Sequence, residues 1–215
     1  MEDMLAHGGQ HAGRSLAILT EGVNMQRKNF GKVMRYLVAI CVLVSAFAMF
    51  ACGGSDNTGT VKNVNATVPL NSNNAAIIQS LTFSFTSGQV FGGNIGNGPV
   101  TLSFPTLSTF TLTTSAGATV SGTVTYNSGT CNFAGTGGGF ATAETCSLLV
   151  NAANVTVGQG FVSGTITLVL SSTISGVLVT VNSTPLTAQV FIDSTDELFV
   201  VNPATNASVA TGVNP

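Results

Sequence analysis

An all-β fold is what this sequence predicts: an antiparallel β-sandwich of Ig-like or Greek-key type, or a small barrel. Three observations carry that prediction. After residue 52, Val, Thr and Phe are abundant, while Glu, Lys, Arg and Gln, which favour helices, are scarce. Apolar residues there alternate with Thr and Ser at a period of two, the pattern of half-buried strands. Gly-rich and Asn-rich breaks cut these runs at short intervals, as in sandwiches and barrels.

The N-terminal segment follows different rules. Arg27, Lys28, Lys32 and Arg35 precede Tyr36 to Ala51, a 16-residue apolar run interrupted only by Ser45. That is shorter than the roughly 20 apolar residues a membrane-spanning helix needs. A basic start, an apolar middle and a small residue before the cut predict a cleaved, helical secretory signal segment over 25–51. Met25 opens an ordinary basic region, and Glu21-Gly22 can be encoded by a purine-rich ribosome-binding sequence ahead of it. Residues 1–24 are therefore expected to be translated upstream sequence, which makes His7 and His11 irrelevant to function.

Met49-Phe50-Ala51-Cys52 resembles the lipobox of bacterial lipoproteins, with Met49 and Phe50 in place of the usual Leu and small residue. The resemblance implies cleavage before Cys52 and a diacylglycerol thioether on its sulfur, with acylation of the new amine. Two or three acyl chains anchor a protein stably where one does not. Gly53 in place of Asp after the Cys implies, by the same resemblance, sorting to the outer membrane. Residues 52–61, beginning Cys-Gly-Gly-Ser-Asp-Asn-Thr-Gly, have the composition of a flexible tether.

A single β domain is expected over 62–215, long enough to bury a proper core. Leu81, Phe83 and Phe85 share a face, as do Val120, Val124 and Tyr126 opposite Thr119, Ser121, Thr123 and Thr125. Ile166, Leu168 and Leu170 alternate with Thr165, Thr167 and Val169; Val177, Val179 and Val181 follow, then Leu186, Ala188, Val190 and Ile192. Breaks are expected at 92–98, 127–139, 157–160, 171–176 and 193–197. Phe83, Phe85, Phe104, Phe110, Phe161, Phe191 and Phe199 are the expected core aromatics. A membrane barrel would want girdles of Trp and Tyr, and this segment has no Trp and only Tyr126.

Of the four cysteines, Cys41 leaves with the signal and Cys52 is taken by lipid, so Cys131 and Cys146 remain. Beyond the membrane a disulfide between them is expected. A redox or metal role would want a CxxC spacing, a neighbouring base or further ligands. Asp193, Asp196 and Glu197, with Ser194 and Thr195, offer oxygens of the kind calcium takes. Lying between Val-Phe-Ile and Leu-Phe-Val-Val, the same run reads as a polar hairpin turn, which is preferred, so no metal is expected. Glu144 reads as a loop-surface acid. The glycine runs at 92–98 and 135–139 lack the Lys-Ser/Thr ending of a phosphate loop and read as turns. Sequons at Asn65, Asn154, Asn182 and Asn206 are what so Asn- and Thr-rich a chain contains by composition.

Charge excludes more than it identifies. From Cys52 onward, 164 residues carry one basic side chain, Lys62, with five acidic ones and no histidine. Nucleic-acid binding lacks its basic footprint, and histidine-based catalysis and metal sites are ruled out. No serine has an evident base, and no cofactor is expected. The expected function is that of a lipid-anchored, non-catalytic structural or interaction protein of the outer membrane, facing periplasm or cell surface. A small-ligand or glycan-binding module is the alternative, and a hydrolase ranks third. Expected partners are the membrane, through Cys52, and an envelope protein or a second copy joined by strand pairing at sheet edges. After Lys62 such edges are guarded only by Pro69, Pro99, Pro105, Pro185, Pro203 and Pro215.

Overall fold

The computed structural model describes residues 58–91, 95 and 97–215. The expected upstream extension 1–24, the expected signal segment 25–51, Cys52 and the start of the expected tether lie outside the described residues. Two long strands organise the rest: β7 (Ala141–Thr156) and β8 (Val162–Ile174), paired antiparallel from Thr145↔Ser171 to Ala152↔Gly164. No Gly or Pro interrupts β7, which runs for 16 residues with one irregularity opposite Lys62–Val64, where Asn154 takes a positive φ.

Each long strand serves two neighbours in turn. The first half of β7 pairs with β6 (Thr130–Gly135), and the second half with β1 (Val61–Pro69). Likewise the first half of β8 pairs with β10 (Leu186–Ile192), and the second with β9 (Val177–Asn182). From β6 a meander continues through β5 (Thr119–Asn127), β4 (Thr109–Thr114) and β3 (Val100–Thr106) to β2 (Thr82–Phe85). From β10 it continues through β11 (Leu198–Asn202) to β12 (Ala207–Ala210). Every one of these pairings is antiparallel, so the expected all-β antiparallel class holds.

The meander curls until its far end meets its beginning. A bridge joins Phe85 of β2 to Ser183, just after β9, and the Thr184 N–H donates to the Ser84 carbonyl at 2.8 Å. Curling of this kind follows from the right-handed twist of strands and buries one face without a second, separate sheet. Pro105 sits where the β3–β4 register shifts, the place where a residue without an N–H is tolerated. Gly164 lies where β7, β8 and β10 meet. A Cβ there would come 2.7 Å from the Asn151 carbonyl oxygen and 2.7 Å from a Val190 methyl, so only glycine lets the three strands close up.

Inside the curl, alternation has delivered the apolar set to one face. Phe83, Leu102, Phe104, Phe110, Leu112, Leu148, Ile166, Leu168 and Leu170 are at most 1% exposed. Edge-to-face ring contacts run from Phe85 to Phe91, Phe91 to Phe133, and Phe133 to Phe110, with Phe140 tilted against Phe110. Phe91 comes from a short 3₁₀ turn, Gln89–Phe91, which packs against β7, β8 and β9. A second 3₁₀ turn, Ala75–Ile78, is tied to β11 by Asn202, whose buried side-chain amide donates to the Ile77 and Gln79 carbonyls.

Several sequence expectations are corrected. Phe161, just before β8, is 52% exposed and tilts against Phe191 of β10, which is buried as expected and tilts in turn against half-buried Phe199 of β11. Aromatic character alone is no sure guide to the interior. Phe91, Phe133 and Phe140 also fill the core. The break expected at 127–139 contains β6, whose Asn and Gly content hides the inward pair Cys131 and Phe133. The break expected at 171–176 is mostly strand, since β8 runs to Ile174.

Candidate functional site

Only a few chemically capable side chains occur among the described residues, and the fold separates them. Lys62 and the acidic turn meet near the start of β1. The Lys62 ammonium donates to Asp196 Oδ2 at 2.6 Å and to the Pro215 carbonyl at 3.1 Å. It thereby joins the first strand, the β10–β11 turn and the last residue. Within the turn, Asp193 Oδ1 accepts from the Thr195 N–H, the Thr195 hydroxyl and the Glu197 N–H. This arrangement is an Asx turn, with Asp196 held at positive φ. Asp193 Oδ1 is taken up by turn donors and Asp196 Oδ2 by Lys62, while Asp196 Oδ1 is buried without a hydrogen-bond partner. Among the described residues no group of three His, Cys, Asp or Glu side chains is placed to hold a metal ion.

A second cluster lies on the inner face where β5, β6, β7 and β8 run side by side. Register places Tyr126 opposite Cys131, Cys131 opposite Glu144, and Thr145 opposite Ser171, which sets Glu144 against Ser172. Cys131 is bonded to Cys146, two residues further along β7 on the same face, with Cα atoms 5.8 Å apart. The expected disulfide is present, though it closes a hairpin of two strands rather than a loop tip.

Glu144 is not a surface acid. It is fully buried, in the inward register of Thr142, Cys146, Leu148 and Val150. Its Oε1 accepts from the Thr142 hydroxyl at 2.6 Å, while Oε2 has no partner. Burial raises its pKa from the ordinary 4.5 to about 7, against the opposing effect of hydrogen bonds from Thr142 and Ser172. The Tyr126 hydroxyl is buried too, without a partner, and burial pushes its ionisation well above the ordinary range. The period-two pattern Thr142, Glu144, Cys146, Leu148, Val150 is the signal that identifies Glu144 as inward.

An open depression of about 390 Å³ lies across β1, β7 and β8, lined by Val64, Asn151, Ala152, Ser163, Gly164 and Thr165 among others. None of these side chains is a nucleophile paired with a base, and none titrates near neutrality. Comparison with protein-family models, with curated proteins and with solved structures finds no match.

Proposed function

We propose that this protein is a lipid-anchored component of the outer envelope with a non-catalytic structural or interaction role. The observation that carries the reading is the basic, apolar, Ala51-Cys52 succession at the N-terminus, with Val61 of β1 only nine residues beyond Cys52. Absence of a catalytic role is supported by what the few ionisable groups do. Lys62 is engaged by Asp196 and Pro215, and Glu144 is sealed in the core. Replacing Cys52 with Ser is expected to move the protein from the detergent phase to the aqueous phase in phase-separation experiments. A Cys52→Ser protein that still partitions with membranes would overturn the anchor.

Contact with partners, in this reading, is made through backbone at strand edges. β9 is paired on one side by β8, and its residues are Val-Leu-Val-Thr-Val-Asn without a charge. Val177 and Leu178 are 63% and 70% exposed, at the tip of the β8–β9 hairpin. Strand addition to such an edge joins chains through main-chain hydrogen bonds. Since screening acts only on charges, affinity for a second copy or an envelope partner is expected to change little between ~50 and ~500 mM salt. Titration across that range by sedimentation or pull-down checks it, and a collapse of binding would mean that charge holds the complex.

A ligand-binding reading has one observation of its own. Phe161 is an exposed ring backed by Phe191, the kind of apolar surface on which a sugar ring stacks. Loss of glycan-array binding in a Phe161→Ala protein would favour it over the interaction role.

A further inference from the structure

The inner-face cluster is built around a carboxyl group that no cation among the described residues accompanies. The charged side chains elsewhere among the described residues are Lys62, Asp193, Asp196 and Glu197. Lys62 pairs with the acidic turn at the other end of β7: its partner in register, Val155, is eleven residues from Glu144. At the strand rise that is about 35 Å. Around Glu144 itself, β5 contributes Tyr126, β6 contributes the disulfide-bonded Cys131, β7 contributes Cys146, and β8 contributes Ser172. Neither β9 nor the Gln89–Phe91 turn carries a titratable side chain.

Ionised Glu144 would therefore be a buried charge with two hydroxyl donors and one bare oxygen. Protonated, it is a neutral group with one hydrogen-bonded oxygen, a far smaller cost in an apolar surrounding. Its position makes that difference matter to the fold. Glu144 sits on the part of β7 that pairs with β6 on one side and, through Ser172, with the part of β8 that carries β9. An ionised carboxyl can be hydrated only if these strands part. The disulfide holds β6 to β7, so the separation least restrained is that of the β8–β9 hairpin from β7.

We propose that Glu144 is a proton-binding site that locks the β8–β9 hairpin onto β7 when occupied and loosens it when the proton leaves. The lock operates whether or not Cys52 carries lipid, and so stands independently of the anchor. Its direction is set by linkage. Because the native group holds its proton to a higher pH than the unfolded group, its stabilising contribution is complete below about 4.5. That contribution declines as pH rises and is lost above about 7. The exposed Val177 and Leu178 edge is thereby coupled to ambient pH.

Hydrogen exchange of the full chain carrying Cys52→Ser, followed by mass spectrometry, tests this. Protection factors for 169–182, corrected for intrinsic rates, are expected to fall about tenfold or more from pH 5 to pH 8. In the Glu144→Gln variant, which keeps the shape without the charge, they are expected to stay level. Equal protection of the parent at both pH values, or the same fall in the Gln variant, would overturn the proposal. Should the variant not fold, the carboxyl carbon of Glu144 in the parent decides: a midpoint near 7 supports the lock, and one near 4.5 overturns it.

Discussion

Replacing Phe133 with Ala is expected to lower the free energy of unfolding by about 3–5 kcal/mol, the usual cost of deleting a buried aromatic ring. Phe133 is 2% exposed and stands between Phe91, at 5.8 Å, and Phe110, at 5.1 Å. Its loss removes two edge-to-face contacts at once, each adding to the burial of apolar surface. It also undermines the Gln89–Phe91 turn, which covers the inside of the curl and reaches β7, β8 and β9. Neighbouring rings come from different strands and cannot simply slide into the cavity, so little of the cost is recovered by collapse. Urea unfolding measures the change as a lower midpoint with a similar slope. A midpoint within experimental error of the parent would show that the ring chain is not the centre of the core.

Removal of the disulfide, by Cys131→Ala with Cys146→Ala, is expected to cost roughly 3 kcal/mol on the chain-entropy model. The bond spans 15 residues, so most of its effect lies in restricting the unfolded chain. A smaller part is local. Both sulfurs are buried beside Glu144, and the bond holds β6 against β7 where that carboxyl is enclosed. Non-reducing mass spectrometry of protein isolated without reductant is expected to find the two residues linked. Free thiols at both positions, or identical unfolding of oxidised and double-variant protein, would remove the disulfide from the account of stability.

Much of the fold is legible in the chain because alternation is a local signal. Phe83 and Phe85, Val124 and Tyr126, Ile166, Leu168 and Leu170, and Ala188, Val190 and Ile192 all lie on the face their spacing assigns. Where the reading fails, composition has been trusted over position. Thr-Cys-Asn-Phe-Ala-Gly looks like loop, yet its ladder is completed by β5 and β7 on either side, and pairing outweighs weak strand propensity. Being aromatic does not place Phe161 inside: it lies just before β8 and is 52% exposed, whereas Phe191 is buried. Glu144 was assigned to the surface for being charged, although it occupies the inward one.

By itself the sequence determined the class of the fold and the two faces of most of its strands. Those properties depend on neighbours within a few residues, where chain geometry allows few alternatives. The tertiary structure alone decided which strands meet: that β7 and β8 each serve two partners, that β2 curls round to Ser183, and that Lys62 reaches Asp196. It also decided that one carboxyl is enclosed without a countercharge. A period of two specifies the side on which a residue lies but not the strand beside it, and the environment of a buried charge is made by residues far away in sequence.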